Sequence, residues 1–506
     1  MKLKARLPGL TSGGKMIVIL NNKTAKKLAV KPLERVIVKS KKEDITCIVN
    51  TSEKIVKPRE IIIYDDVNDI LKIKNGDIVD VRARPFLNSK KFIRERIRGK
   101  ELTNKKIRQI VDDVLEHKLS DLALASLISS FDIRPLSDSE AYGFTKAMID
   151  TSEKFTFRGK IVDKHSIGGI PGDKTSILLV SIVAAAGLTI PKSSSRAITD
   201  PAGTADRFEI FAPVQLDARA IRRTVKKTGG CIIWGGSFKL APADDLFIQI
   251  EHPLDSDAMM IPSIIAKKKV MGSKYIILDM PMGPTQAKIK DMSVASKLAR
   301  KFIKIGKRFG MKIECAVTNA SQPLGYSMGP ALEARDILNT FSNSKSKDLI
   351  DKATSLSGIL FKMVGKDYSA EEGKARAVKI FNSGLAEKKF REIIKEQGGN
   401  EKVTIGDIRV GKETRIVKAK KSGYIHNIHN KNLVRTAIAA GCPGDKGAGI
   451  ELFKKIGDKI SHGEPLFKIY AENKIKMKNA LDAYEDSFII KSRRPKKTKM
   501  LLKVVV

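Results

Sequence analysis

Along residues 1–85 the apolar positions come in short runs, MIVIL, RVIVK, DITCIVN, EIIIYDD and GDIVDVRA, separated by Gly and Lys-Asn turns. Runs this short and this rich in Ile and Val predict strands of a small β-rich domain. From about Lys91 the spacing changes. KKIRQIVDDVLEHKL, SDLALASLISSF and SDSEAYGFTKAMIDTSEKF repeat apolar residues three and four apart, with Ser or Asp in N-cap position, which predicts helices. Residues 156–330 alternate apolar strands (KYIILDMP, KIECAVTN) with a helix (SKLARKFIKIGKRFG), the order of an α/β domain. ALEARDILNTF and the segment 346–398 continue as helices, and after Gly399 the chain returns to β-type runs with Gly-rich turns.

Two loops interrupt this pattern. Residues 164–176 read KHSIGGIPGDKTS and residues 193–206 read SSSRAITDPAGTAD, both dense in Gly, Ser and Thr. They carry Lys164, His165, Lys174 and Arg196, and the apolar run between them suits a buried helix. Backbone N–H groups, hydroxyls and cations gathered at a helix N-terminus form a site for phosphate or another polyoxyanion. Two such loops close in sequence suggest two anionic groups, or one anion and a phosphorylated sugar.

Composition narrows the class. A chain of 506 residues exceeds a single core and predicts about three or four domains. Its 42% hydrophobic and 30% charged content is that of a globular protein. The longest apolar stretch, Ile177–Ile190, is shorter than the roughly 20 residues of a membrane helix, and no secretory pattern opens the chain. Cys47, Cys231, Cys315 and Cys442 are scattered without metal-ligand spacing, which fits free thiols in a cytoplasmic setting with no metal or cofactor. The net charge of +39 raises nucleic-acid binding. Lysines are spread over the whole length, however, and only SRRPKKTK at 492–499 is dense. Aromatics are 6% and do not interleave with the basic stretches, unlike a single-strand binding platform. A cationic field also draws in small phosphorylated substrates.

Four other readings fit less well. GGIPGDKTS misses the Walker pattern because Asp173 separates Gly172 from Lys174. A phosphoribosyltransferase would need acidic residues for magnesium-pyrophosphate, and no paired-Asp motif stands in the expected loop. GDKISHGEPLFKIYAEN resembles half of a biotinyl or lipoyl carrier, but AENK stands where a Met-Lys-Met would, so a barrel-sandwich shape used structurally is expected. A non-enzymatic RNA-associated protein is the distant alternative.

KHSIGG, GDKTS, SSRAIT, AGTAD, GGCIIWGG, LAPADD, SIIAKKK, GPALEARD and GDKGAGIELFKKIGDK occur in this order. Over roughly residues 88–485 the chain thereby resembles the thymidine/pyrimidine-nucleoside phosphorylase family, and within it the archaeal AMP phosphorylase branch. That branch has SSRAIT where the pyrimidine enzymes have a Gly-rich loop, and it carries an extra N-terminal β domain. The implied fold is α/β plus α, with a helical domain packed on a large mixed-sheet α/β domain across a cleft. The implied boundaries are 1–85 for the β-rich domain, 88–150 with 240–270 for the helical domain, and 156–239 with 271–405 for the phosphate-binding α/β domain. A C-terminal α+β, barrel-sandwich-like domain over 406–490 and a basic tail over 491–506 complete it.

The implied activity is phosphorolysis of nucleoside 5′-monophosphates, AMP and phosphate giving adenine and ribose 1,5-bisphosphate, in nucleotide salvage or degradation. A thymidine or uridine phosphorylase is the alternative. The resemblance gives Lys164, Ser166, Ser176 and Thr204 to the attacking phosphate. It gives Gly169, Ser195, Arg196, Ala197, Ile198, Thr199, Asp200, Thr204, Ser263, Lys267 and Lys288 to the nucleotide, with Arg196 the one fixed cation of the 195–200 run. His165 reads either as catalytic or as a structural histidine. Between Phe247 and Ser263 there is no Arg, although pyrimidine enzymes grip the base with one there. Asp200 stands where the AMP branch has a small residue. The resemblance also implies a homodimer or larger oligomer.

The departing base needs a proton from a positioned acid. Counting back from Ser263 without a gap gives Asp255, and counting forward from HPL gives Asp257. If the helix is already regular there, Asp255 lies about two turns before Ser263 on one face and is favoured. Asp257 lies about 240° around.

Overall fold

The computed structural model describes residues 1–84, 87–197, 200–238, 240–284 and 287–506, with the backbone alone at 237 and 238. The chain divides into two compact units, Met1–Met148 with Pro242–Met260, and Ile149–Ala241 with Ile261–Val506.

In the first unit the N-terminal strands form a closed barrel. Beside the five runs read from sequence there is a sixth strand, Lys2–Arg6, which pairs in parallel with Glu60–Ile63 and antiparallel with Ile78–Ala83. Its charged residues alternate with buried Leu3 and Ala5, so only a short apolar signal marks it. The helices Asn88–Ile97, Asn104–Leu115, Asp121–Ile133 and Asp138–Asp150 follow. Thr103 and Ser120 cap two of them by accepting from Lys106 N and Ala123 N. A distant helix, Pro242–Glu251, joins these through Phe247, whose ring meets Phe144 edge-on at 6.1 Å. Arg96 and Glu140 form a buried pair at 2.8 Å, and Glu140 also accepts from Leu102 N and Ser137 N. Barrel and bundle lie in one compact unit, tied by Arg35, which donates to the carbonyls of His117 and Leu119.

The second unit is built on parallel strands. Tyr275–Met282 lies between Val162–Ser166 and Lys312–Asn319, parallel to both, and Ile190–Ser194 pairs in parallel with Gly230–Trp234. An Ile161–Thr189 bridge joins the two sets. The Thr175–Ala185 helix is buried on all sides, as an all-apolar helix must be. Helices over Lys347–Met363, Ala370–Asn382 and Leu385–Glu396 pack around it, and Pro330–Asn343 joins the same core. The C-terminal region holds a sheet of Ser327–Met328, Gly449–Leu452, Pro465–Ala471 and Glu413–Lys418, and a second of Lys459–Ile460, Gly423–Ile428 and Phe488–Lys491.

Two expected boundaries need correction. The helical unit takes its second segment only to Met260, because Ile261–Val270 is buried in the other unit. The basic tail is no free tail. Leu501–Val505 adds an antiparallel edge strand to Lys312–Asn319, since its LLKVVV pattern can pair where SRRPKKTK cannot. Among the described residues no helix is long and apolar enough to cross a membrane. All four cysteines are buried free thiols.

Candidate active site

Ligand sites in open parallel sheets lie outside the carboxyl ends of the strands. Three loops leave those ends here, after Ser166, after Ser194 and after Met282. In the first loop Gly168 and Gly169 take φ of 86° and 89°, values that favour glycine. A Cβ on Gly169 would lie 2.7 Å from Ala287 Cα and 2.9 Å from Lys288 N. The first and third loops therefore touch at Gly169, and Lys288 stands beside it, exposed.

Arg207 stitches the first and second loops. Its guanidinium donates to Asp173 O (2.6 Å) and Ala202 O (2.6 Å), reaches Thr204 Oγ1 at 3.5 Å, and is anchored by Glu333 at 2.8 Å. Thr204 opens the short Thr204–Phe208 helix and is half-buried. Ser176 lies in the first turn of the buried Thr175–Ala185 helix, and Ser166 Oγ accepts from Gly168 N. Lys174 is structural. It is fully buried and donates to the carbonyls of Gly172, Leu324 and Ser327 beside Asp336.

The cations differ from the sequence reading. Lys164 is 1% exposed, with its ammonium 3.1 Å from Asp279 and 3.3 Å from Asp173. Lys352 lies 2.9 Å from Asp279 and 3.8 Å from Asp173, so two lysines face two aspartates. Burial opposes charge on Lys164, but Asp173 and Asp279 hold its affinity for the proton above the ordinary value. Burial likewise raises the Asp173 carboxyl, and Lys164 and Lys352 more than reverse this. Thr318 Oγ1 donates to the other oxygen of Asp279 at 2.7 Å. Lys164 thus enters the site as part of a balanced buried cluster, not as an unpaired ammonium.

Around His165 the balance is positive. Burial depresses its proton affinity well below the usual imidazole range, and Lys268, Lys192, Lys267 and Lys164 add to the effect. The imidazole is neutral at physiological pH. Lys268 pairs with Asp163 at 2.9 Å and donates to Ser193 O, and Lys192 donates to the same carbonyl at 2.6 Å. Burial and the neighbouring Lys268 depress the Lys192 ammonium strongly. Ser263 is buried and Lys267 half-buried, one turn apart on the Met260–Val270 helix. Sequence reading passed over Lys192, Lys268, Lys352, Asp163 and Asp279. Lys192 and Lys268 adjoin motif residues in KSSSR and AKKK, a local signal, whereas Asp279 and Lys352 reach the site only through the fold.

In the second loop Arg196 is committed to carboxylates. It donates to Asp206 Oδ1 (3.1 Å) and to both oxygens of Glu209 (2.9 and 2.6 Å), and lies 4.9 Å from the centre of the Trp234 ring. Arg196, expected as the one fixed cation of the 195–200 run, is thus ion-paired within the protein. Ser195 is exposed, and Ala197 and Asp200 are half-buried. Ile198 and Thr199 lie outside the described residues.

The acid candidates are also corrected in their geometry. The helix carrying Ser263 begins at Met260, so Asp255 is not two helical turns before it on one face. Asp255 sits in the preceding turn with φ 50°, donating its N–H to His252 O, and Asp257 O accepts from Met260 N. Both carboxylates are exposed. HPLDSD breaks the helix at its proline, which is why regularity resumes only after Asp257.

Comparison with known proteins agrees with this architecture. Residues 90–152 match the glycosyl transferase family helical bundle domain, 158–387 the glycosyl transferase family a/b domain, and 424–491 the pyrimidine nucleoside phosphorylase C-terminal domain. The fold is similar to a crystal structure of anthranilate phosphoribosyltransferase from Thermus thermophilus. The TM-score is 0.52 at 16% identity, over 60% of this chain and 98% of that one. The AMP phosphorylase of Thermofilum pendens is 40% identical over 99% of this chain and 97% of its own length. Those of Methanococcoides burtonii and Thermococcus kodakarensis are 42% and 41% identical, covering 94% and 95% of this chain and 94% and 96% of theirs. With such relatives along nearly its whole length, the chain belongs to the AMP phosphorylase family.

Proposed function

We propose that this chain phosphorolyses AMP, releasing adenine and ribose 1,5-bisphosphate. The observation that carries the reading is its near-full-length likeness to AMP phosphorylases. An oxygen of inorganic phosphate forms a bond to C1′ as the C1′–N9 bond breaks. The bonding pair leaves with adenine, which takes up a proton at N7. Positive charge develops on the ribose and negative charge on the base.

The residues support a division of labour. Ser166, Ser176 and Thr204 offer hydroxyls to the attacking phosphate, and the Lys164 cluster holds the first loop in shape beneath them. Lys267 and Lys268 contribute positive charge around His165, while Lys192, whose hold on its proton is strongly weakened, contributes its hydrogen bond to Ser193 O. Preorganised donors in a poorly hydrated site act more strongly than the same groups in water. A neutral His165 can donate one hydrogen bond to substrate but cannot supply a full positive charge. Gly169, Ser195–Asp200, Ser263, Lys267 and Lys288 line the nucleotide. The proton comes from the turn before Met260, by Asp255 or Asp257. The enzyme works in the cytoplasm as a homodimer or larger oligomer.

A pyrimidine-nucleoside phosphorylase is the second reading, favoured by the family of the C-terminal domain match. Purified protein incubated with phosphate and AMP, CMP, UMP, adenosine, uridine or thymidine separates the two. Adenine release from AMP should be the fastest. Faster turnover of thymidine or uridine would move the chain to the pyrimidine reading. In the same assay Asp255→Asn and Asp257→Asn assign the donor, since only the true donor's variant should lose kcat while still binding AMP. If both variants kept full kcat, the turn would not hold the acid.

A further inference from the structure

The second loop is closed from within. Asp206 Oδ2 accepts from Ala197 N at 2.6 Å and Gly203 N at 2.8 Å, so one carboxylate ties the loop's beginning to its end. Ala205 N donates to Ser195 O, and a Cβ on Gly203 would come within 2.5 Å of Ala197 N and Arg196 C. Arg196 holds the outer edge of this ring. Its forked guanidinium takes both Glu209 oxygens and Asp206 Oδ1, with Trp234 against its face. Glu209 extends the chain to Lys446 at 3.1 Å, in the GDKG turn of the C-terminal region.

Two cations and two carboxylates balance in this network. A phosphate dianion approaching the Arg196 guanidinium would meet two carboxylates already about 3 Å from it, and their repulsion offsets the attraction. We infer that Arg196 is a positioning residue: with Glu209 and Lys446 it fixes the two ends of the second loop, Ser195–Ala197 and Gly203–Asp206, for the nucleotide and does not ligate the substrate's 5′-phosphate. This rests on the proposed AMP phosphorolysis. It also yields a reporter, because Trp234 is the chain's single tryptophan and lies on the clamp.

The test compares AMP with adenosine, which differ by the 5′-phosphate, in the full-length protein and in Arg196→Met, Arg196→Lys and Glu209→Gln. Where adenosine turnover is too slow to measure, equilibrium dialysis gives the two Kd values instead. A clamp predicts that Arg196→Met and Glu209→Gln weaken both substrates by the same factor, at least tenfold, leaving the AMP-to-adenosine ratio within threefold of wild type. Arg196→Lys should recover part of the loss. Trp234 emission should shift in Arg196→Met and Glu209→Gln without nucleotide, and adding AMP to wild type should move it no more than adenosine does.

A direct phosphate ligand predicts otherwise, and any of its signatures overturns the inference. Arg196→Met would then bring AMP down to the level of adenosine while Glu209→Gln left AMP unharmed, and AMP alone would shift wild-type Trp234 emission. Unchanged kinetics in Arg196→Met would overturn it equally. If wild type released no adenine from AMP, the functional reading would fail. The emission of the unliganded variants would still decide whether the clamp exists.

Discussion

In the loop after Val162–Ser166 the cation Lys164 is 1% exposed and shares Asp173 and Asp279 with Lys352, which is fully buried. In the loop after Ile190–Ser194 the cation Arg196 is 31% exposed and is held by Asp206 and Glu209, with water within reach. In sequence the two loops look alike, with Gly, Ser and Thr around a basic residue. In the fold, both cations are paired internally, but at different depths. A buried pair is bound by the need to neutralise charges stripped of solvent, whereas a half-exposed pair can trade its partner for water. The first loop is therefore a rigid floor, and the second is a clamp that can be loosened without unfolding the protein.

The sharpest way to break this comparison is to unbalance the buried cluster. Lys352→Met should leave Asp173 and Asp279 with Lys164 as the ammonium they share, Arg207 adding to Asp173 alone. Removing one member of a buried ion pair costs about 3–5 kcal/mol. The denaturant midpoint should fall accordingly with little change in slope. A loss under about 1 kcal/mol, the range of exposed pairs, would mean that water reaches these aspartates and that the loops do not differ in depth.

The strands and helices around this cluster were legible because each is a short apolar run bounded by polar or Gly-containing segments. The Tyr275–Met282 and Lys312–Asn319 strands and the buried Thr175–Ala185 helix follow from apolar runs of the right length. The partners of the site cations were not. Asp279 sits in KYIILDMP as a lone carboxylate in an apolar strand, and Lys352 in a helix over a hundred residues from Lys164. Neither has a local pattern, and their meaning depends on which strand neighbours which. The internal pairing of Arg196 is hidden in the sequence for a related reason. Its acceptors Asp206 and Glu209 are only ten and thirteen residues away, but AGTAD reads first as a phosphate loop and not as a closing carboxylate. The start of the Ser263 helix was drawn too early because DSDAMMIPSIIAKKK has no unambiguous cap.

A second way to sharpen the contrast uses protons. His165, on the Val162–Ser166 strand that leads into the first loop, is neutral in the folded protein because burial and then Lys268, Lys192, Lys267 and Lys164 disfavour its charge. In the unfolded chain it titrates near the ordinary value of about 6.5. Below that pH the unfolded state binds a proton that the native state refuses, so stability falls as pH drops. His165→Gln should flatten this dependence by the slope of one bound proton, read from denaturant midpoints across pH 5 to 7, once the parallel contribution of half-buried His117 is held constant. An unchanged slope would place a counter-charge near His165 and remove the positive field from the site. For catalysis, wild-type kcat/KM should show no acid limb near 6.5 that His165→Gln abolishes.

The smallest effect belongs to the second loop. Glu209 is held down at about 2, first by the hydrogen bond from Arg196, against the opposing effect of burial and with help from Lys446. A depressed carboxylate contributes stability that is present above its unfolded value and is lost only as pH falls through the folded one. At neutral pH Arg196→Met therefore removes a real interaction, but one between groups that water can still solvate. Lys446 continues to pair with Glu209, and Asp206 keeps its bonds from Ala197 and Gly203. The expected loss is roughly 0–1 kcal/mol, as for exposed pairs, while Lys352→Met loses several times more. Wild type should shed the Arg196 contribution between about pH 4.3, the unfolded value, and about pH 2, and Arg196→Met should lack that acid step. A loss in Arg196→Met as large as in Lys352→Met would show that the second loop, too, is built on charges cut off from solvent, and the distinction between floor and clamp would fall.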